Sequence, residues 1–514
     1  MISTNKLEFG DYQTPANFCN IVVDIIYNKY KPKYVFEPTF GLGHFIDSSI
    51  KKFKNVKTFY GNEINQEYYS DYKNKKNKNM ELFNENIFTF NHKKIKDAIK
   101  NEPMLIIGNP PWVTNSQLMS EKLKNLPKKS NFKNLKGIDS ITGASNFDIC
   151  EYILIDLLSN YAKSNVMIAM LCKTSVATSI IKNIKNYPFN LKNINLYLFD
   201  AKKVFNVGCE ACLFVAQTDK VGSDTAKVYN IDQPSNLLYE FGWKNGKFHS
   251  QFKELDYDID GVFYTEWRQG VKHDCSKIME LEKNGDNNYK NKLDECFTLE
   301  DKYVYPLLKS SDLKNNLISK SDKYVIVTQR TVRESTMHIE KDAPKTWEYL
   351  KKHEDLFNNR KSAIYKNCPP FSIFGIGDYS FSKYKVAISG FYKEPNFVLL
   401  DNEKPIMLDD TCYFISFDNL KDAYITMVLL NSSIVNNFLS SIAFLNKKRP
   451  YTKDILMRID MKKLIADVKY NDFCSMSDKY NAEISINNDD YENYISKFNY
   501  SEQLSLLWLL DNLW

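Results

Sequence analysis

Asn109-Pro110-Pro111-Trp112 stands directly after the apolar run Met104-Leu105-Ile106-Ile107-Gly108. Two successive prolines fix φ at both positions and remove backbone donors, so the turn is stiff and extended. Such a turn holds the Asn109 side-chain oxygen and the Pro110 carbonyl as two acceptors aimed at one point. Two convergent acceptors suit an exocyclic amino group, which offers two N–H bonds and a weakly nucleophilic nitrogen. Trp112 adds a flat face for the ring that carries the amine. This combination points to methylation of a planar amine, with adenine N6 as the first candidate. The other reading is a proline-stiffened loop with an aromatic anchor.

The elements that must position this turn are read upstream. An amphipathic helix is predicted from about Ala16 to Tyr30. Val35-Phe36-Glu37-Pro38-Thr39-Phe40-Gly41-Leu42-Gly43-His44-Phe45 then reads as a strand, a glycine turn and a helix opening near Phe45. Gly41 and Gly43 let the backbone turn sharply and approach a ligand, and Glu37 ends its strand at the ligand crevice of an open α/β sheet. A second strand, Thr58 to Asn62, ends in Glu63, placed to accept the hydroxyls of a ribose. A third segment, Glu81 to Phe88, is polar at Asn86, and a fourth strand delivers Asn109. These polar ends recur every ~25 residues, about one βα unit of a parallel sheet. A nicotinamide dinucleotide fits poorly, because the turn lacks the third glycine of that fingerprint; a P-loop is absent. S-adenosylmethionine fits better, with Glu37 meeting its ammonium group and Glu63 its ribose.

In this order the residues resemble the gamma-class (TaqI-like) N6-adenine DNA methyltransferases of type II restriction-modification systems. The resemblance runs through Gln13-Thr14-Pro15, Glu37 to Phe45, Glu63, Asn86 to Phe88, Asn109 to Trp112, Asn146-Phe147-Asp148 and Phe205, over about the first 220 residues. Later stretches such as Trp267-Arg268-Gln269-Gly270 and Arg449-Pro450-Tyr451-Thr452-Lys453-Asp454 look like that family's target-recognition half. The resemblance implies a Rossmann-like α/β domain, with a mostly parallel sheet and helices on both faces, followed by a mixed α+β target-recognition domain. It assigns S-adenosylmethionine to Thr14, Pro15, Glu37, Pro38, Gly41, Gly43, Phe45, Glu63, Ile64, Asn86, Ile87, Phe88 and Asn109. It assigns catalysis to Asn109, Pro110, Pro111 and Trp112, and stacking of a flipped base between Trp112 and Phe205. Asn86 departs from the aspartate usual at its position, and Trp112 from the more common Tyr.

Composition bounds the rest. A chain of 514 residues with 43% hydrophobic content has room for two or more packed domains; the expected division is 1–250 for catalysis and 251–514 for target recognition. No run reaches the ~18 apolar residues of a membrane span, and Met1 to Gly10 has no signal-peptide core. Ten cysteines without a disulfide-like framework suggest a reducing cytoplasm. Cys209 and Cys212 form a lone Cys-x-x-Cys with no second pair nearby, which reads as buried strand residues and not as a metal site. Net charge is +6, too little for a polycation that coats DNA, yet all six arginines lie at or beyond position 268. Arginine reads guanine edges bidentately, so Arg330, Arg333 and Arg449 are candidates for DNA contact; bracing of loops is the equal alternative. The stretch Val113 to Ser145 carries Lys128 and Lys129 among several lysines, suiting either closure on phosphates or a solvated loop. Ala423 to Leu439 reads as one helix and Leu504 to Trp514 as an apolar-faced helix docking on a monomer. The expected partners are double-stranded DNA and a separately encoded cognate endonuclease. Transfer to an RNA base or a protein glutamine, and a bifunctional nuclease-methylase, are the competing readings.

Overall fold

Met104–Gly108 and Tyr34–Glu37 are buried at every position, as strands in the middle of a covered sheet must be. The computed structural model describes residues 12–75, 79–113, 148–253, 258–445, 447–480 and 483–499. Lys128, Lys129, Asn146, Phe147 and the segment Leu504 to Trp514 lie outside the described residues. The chain divides into two compact units, residues 1–252 and 253–514.

The first unit runs α1 (Ala16–Tyr27), β1 (Tyr34–Glu37), α2 (His44–Lys52), β2 (Thr58–Asn62), α3 (Gln66–Lys73), β3 (Met80–Phe83), α4 (Lys93–Ile99) and β4 (Met104–Gly108). It continues with α5 (Ile149–Asn160), β5 (Val166–Lys173), α6 (Thr174–Lys182), β6 (Asn190–Asp200), α7 (Ala201–Phe205), β7 (Glu210–Asp219), β8 (Thr225–Asn230), β9 (Gln233–Lys244) and β10 (Lys247–His249). One sheet holds all ten strands in the order β10-β9-β8-β6-β7-β5-β4-β1-β2-β3. From β3 to β5 every neighbour is parallel. This is the Rossmann-like half, and the chain reverses its lateral direction between β1 and β4. The ends of β1 and β4 therefore open a crevice, where such sheets bind ligands.

Beyond β5 the sheet is mixed. β7 runs antiparallel to both β5 and β6. The β6-to-β7 link is the short α7, capped by Asn206 at φ +57°, and the three residues up to Cys209; a parallel return needs a longer crossover. β8 to β10 then extend the same sheet through His249. The polar stretch near Thr218 to Thr225 is thus a turn inside the unit.

The second unit has a five-stranded sheet, ordered Arg268–Gln269, Cys412–Phe417, Tyr384–Ser389, Phe397–Asp401 and Leu317–Ile318, and a separate six-stranded sheet. The predicted single helix over Ala423 to Leu439 is two, Leu420–Leu430 and Ser433–Ile442, bent by 61°. Ser432 breaks it by capping the second helix through the Val435 N–H, a local bond that competes with helix continuation. Among the described residues no single helix is long and apolar enough to cross a membrane.

Lys385, on the central strand Tyr384–Ser389, is only 1% exposed, and its ammonium donates to the Ser382 carbonyl at 2.6 Å. Burial lowers its pKa from 10.5 to about 7. Between those values the unfolded chain holds the proton and the folded chain does not, so this lysine makes stability rise with pH across that window and leaves it lowest below. Lys385→Met is therefore expected to raise the melting temperature of the full chain, with a larger gain at pH 6 than at pH 9. A gain that does not change with pH would place the destabilisation elsewhere.

Candidate active site

At the end of β1, Glu37 is 2% exposed, and its Oε2 accepts the Ile46 N–H at 3.1 Å from the first turn of α2. Burial pushes its pKa well above the usual carboxylate range, opposed by the Ile46 bond and reinforced by nearby Glu63 and Asp47. The glycine turn is fixed on both sides. Gly43 sits at φ +77°, and a Cβ there would lie 2.2 Å from the Tyr72 ring, so both conformation and space require glycine. A Cβ on Gly41 would meet the Gln13 amide at 2.6 Å.

Glu63 ties this turn to the next helix. One carboxylate oxygen accepts the Gly41 N–H at 2.8 Å and the other the Asn65 N–H at 2.8 Å. This brace fixes the Glu63 carboxylate at the edge of the crevice. Asn62 laces the strand ends together: its amide donates to the carbonyls of Pro38 and Glu85, and its oxygen accepts the Glu85 N–H. The third strand stops at Phe83, earlier than the sequence suggests, and Asn86 caps the short 3-10 helix Ile87–Thr89 by accepting the Phe88 N–H.

Asn109 follows β4. Its Nδ2 donates to the Tyr12 carbonyl at 3.0 Å. A carbonyl only accepts, so this bond fixes which end of the amide is which. The Asn109 Oδ1 is buried and has no hydrogen-bond partner among the described residues. Thr39 Oγ1 is a second buried polar atom in the same condition. Both residues line one pocket, together with Glu37, Glu63, Asn86 and Phe88. The roughly 1000 Å³ of empty space among these residues includes open solvent, so the site is a crevice and not an enclosed cavity.

Thr14, Gly41, Phe45, Ile64, Ile87 and Pro111 also line this pocket. Pro15, Pro38, Gly43, Pro110, Trp112 and Phe205 do not, although several brace those that do. Pro15 opens α1 through its carbonyl, Pro38 accepts from Asn62, and Gly43 begins α2. Tyr12 to Thr14 form a strap bonded to the pocket at each position. Asn109 grips the Tyr12 carbonyl, Gln13 Oε1 accepts the Leu42 N–H at 3.0 Å, and His44 Nδ1 lies 2.6 Å from the Thr14 carbonyl. Thr39, Asn62 and the clasp made by His44 were not singled out from sequence. Their position between Glu37 and Phe45, or beside Glu63, is the one signal that points to them.

Trp112 and Phe205, the expected stacking partners, are in direct contact with each other. The rings meet edge to face, with centroids 5.3 Å apart and planes at 73°, which leaves no gap for a base between parallel walls. Phe199 and Phe18 complete this aromatic cluster, and Trp112 Nε1 donates to the Leu171 carbonyl at 3.3 Å. Behind it, Asp148 caps α5 and pairs with Lys173 at 2.8 Å. Cys212 is fully buried with its sulfur 3.8 Å from that of Cys172 across the β5–β7 pair, whereas Cys209 is half-buried. In the second unit Arg330 and Arg333 are exposed, while Arg449 donates to the Asp410 carbonyl at 3.0 Å.

No family model matches the sequence. The chain is 40% identical over 480 residues to the type II methyltransferase M.NspV of Nostoc sp., covering 90% of this chain and 98% of that one. Among solved structures it resembles the type IIL restriction-modification enzyme MmeI in complex with DNA, with a TM-score of 0.51 at 13% identity. That likeness covers 86% of this chain and 64% of MmeI, so the chain spans just under two thirds of that enzyme's length. The type IIG restriction endonuclease BpuSI matches at a TM-score of 0.34 and 12% identity, over 92% of this chain and 61% of that one.

The raised pKa of Glu37 makes a prediction about ligands. A cationic amine binds the carboxylate form, so binding releases a proton wherever the free pocket holds Glu37 protonated. With S-adenosylhomocysteine as the probe, affinity is expected to rise with pH up to that raised pKa and then level off. Calorimetry in buffers of different ionisation enthalpy should read the released proton, and Glu37→Gln should lose both the release and the pH dependence. An unchanged pH dependence in Glu37→Gln would assign the linkage to another group.

Proposed function

The chain belongs to the type II methyltransferases, and we propose that it methylates N6 of an adenine flipped out of duplex DNA, as a member of the gamma class. The modification would protect host DNA from a separately encoded cognate endonuclease. The observation that carries this reading is the buried, unpartnered Asn109 Oδ1, held toward a ligand pocket by the bond from its amide nitrogen to Tyr12. A buried acceptor without a donor costs about 1–3 kcal/mol, and an incoming N–H recovers that loss.

S-adenosylmethionine, when bound, supplies an electrophilic methyl group on its sulfonium. The pocket suits it. Glu37 meets the ammonium group, Thr39 offers its unpaired hydroxyl nearby, and Glu63 faces the ribose. Half-buried Phe88 and exposed Ile64 would offer apolar surface to its adenine, and Thr14 on the strap would face its methionine part.

Asn109 Oδ1 and the Pro110 carbonyl accept hydrogen bonds from the two N–H groups of the target amine. These bonds move electron density onto the nitrogen as it turns tetrahedral, so they strengthen in the transition state more than in the ground state. The positively charged product nitrogen is acidic enough to lose its proton afterwards, and no strong base is needed. A base within a duplex cannot reach this point, so it leaves the stack at a cost of a few kcal/mol. Stacking on an aromatic face returns about 1–3 kcal/mol. Because Trp112 and Phe205 meet edge to face, the base stacks on one outer face of this pair or displaces Phe205.

Labelled S-adenosylmethionine offered to unmethylated duplex DNA, RNA and protein in parallel tests the reading. Label is expected in DNA, with N6-methyladenine on nucleoside analysis. N4-methylcytosine would keep the amine pocket and overturn the base. Label confined to RNA or protein would overturn the substrate.

A further inference from the structure

All six arginines belong to the second unit, and their surroundings differ. Arg360 donates to the carbonyls of Ser372 and His273, 3.6 Å beneath the Tyr365 ring centroid. Arg458 grips buried Asp260 with two bonds, at 2.6 and 3.1 Å. Both are internal braces. Arg449 is turned onto Asp410 and the Phe391 ring.

Arg268 and Arg330 are arranged in another way. Their guanidinium carbons lie 4.7 Å from the Tyr379 ring centroid and 4.2 Å from that of Phe381. Both rings belong to one short 3-10 helix, Asp378–Phe381. The rings are braced from behind, Tyr379 by Phe414 at 6.0 Å and Phe381 by Tyr305 at 5.5 Å. The turn before the helix is pinned as well. A Cβ on Gly375, at φ +68°, would lie 2.2 Å from the Gly270 carbonyl oxygen, two residues from Arg268.

A guanidinium held by its face keeps its edge N–H groups available, in the plane and spacing of a bidentate acceptor. The carboxylates beside them are weak competitors. Glu266, paired with Arg268, is 42% exposed, and Asp378, 3.5 Å from Arg330, is 86% exposed; such solvated pairs are worth little. Two flat cations fixed on one ledge are thus preorganised for a planar acceptor pair.

We propose that Arg268 and Arg330, stacked on Tyr379 and Phe381, read guanine O6 and N7 edges in the major groove of duplex DNA. This rests on duplex DNA being the substrate. Guanine N7 and O6 present the planar acceptor pair that a guanidinium edge matches, and this is the commonest specific contact of arginine with a base. It places sequence reading on this ledge and not on Arg449, which donates to the Asp410 backbone carbonyl.

The test uses the full chain and the methylated site, once mapped. Each guanine of the site is replaced in turn by 7-deazaguanine, which lacks the N7 acceptor. Wild type is expected to lose roughly 5- to 150-fold in binding at one or two guanines. Arg268→Ala and Arg330→Ala should each lose that discrimination at one guanine, with affinity for S-adenosylhomocysteine and the salt dependence of DNA binding unchanged. A uniform weakening with a salt slope smaller by about one unit marks a phosphate contact and overturns the proposal. So does a mapped site without guanine, or variants that discriminate as wild type does. If wild type methylates no duplex at all, the substrate reading fails and the proposal with it; wild-type methylation with unaltered variants removes the proposal alone.

Discussion

One hydrogen bond sets the chemistry of the first unit: Asn109 Nδ2 to the Tyr12 carbonyl. It spends the donor end of the amide on the protein itself and leaves the acceptor end buried without a partner. A structure retains an orphan acceptor only where the surroundings over-determine it, and here they do. The fully buried β4 strand fixes the backbone before Asn109. Two prolines stiffen the backbone after it. The strap that supplies the Tyr12 carbonyl is itself tied down through Leu42 and His44. Loosening the strap would free the amide to rotate and present a donor where an acceptor is wanted. The segment that lines the pocket at Tyr12, Gln13 and Thr14 is thus also the one that orients the Asn109 amide.

The other acids of the pocket follow the same logic of position before charge. Glu63 holds the glycine turn to α3 with both oxygens. Glu37, buried with one backbone bond, is left with a carboxyl that burial drives toward its neutral form. An ammonium group is the ligand that makes its ionised form favourable again. The pocket thus contains a site for a cation and an orphan acceptor, joined along the carboxyl edge of a parallel sheet.

Much of this was legible in the sequence, because strand ends in an open α/β sheet are announced by short apolar runs followed by polar residues. Glu37, Glu63 and Asn109 each end such a run and share one pocket. What was not legible depends on contacts between distant segments. Nothing local links Tyr12 with Asn109. The edge-to-face meeting of Trp112 and Phe205 is set by packing with Phe18 and Phe199, which residue type alone does not fix. The antiparallel β7 follows from a link too short for a crossover, and the broken helix at Asn431-Ser432 from a serine cap stronger than the apolar periodicity running through it. In the second unit the arginines were visible as a group, but which of them are internal braces depends on Ser372, Asp260 and Asp410, all distant in sequence from the arginine concerned.

The central claim is that Asn109 Oδ1 waits for a proton of the target amine, and single-turnover kinetics of Asn109→Ala test it most directly. The account predicts a methyl-transfer rate lower by about 10²–10³ at saturating S-adenosylmethionine, beyond whatever cofactor affinity is lost with the bond to Tyr12. A variant that transfers at the wild-type rate, or whose whole defect is lost cofactor affinity, would contradict it.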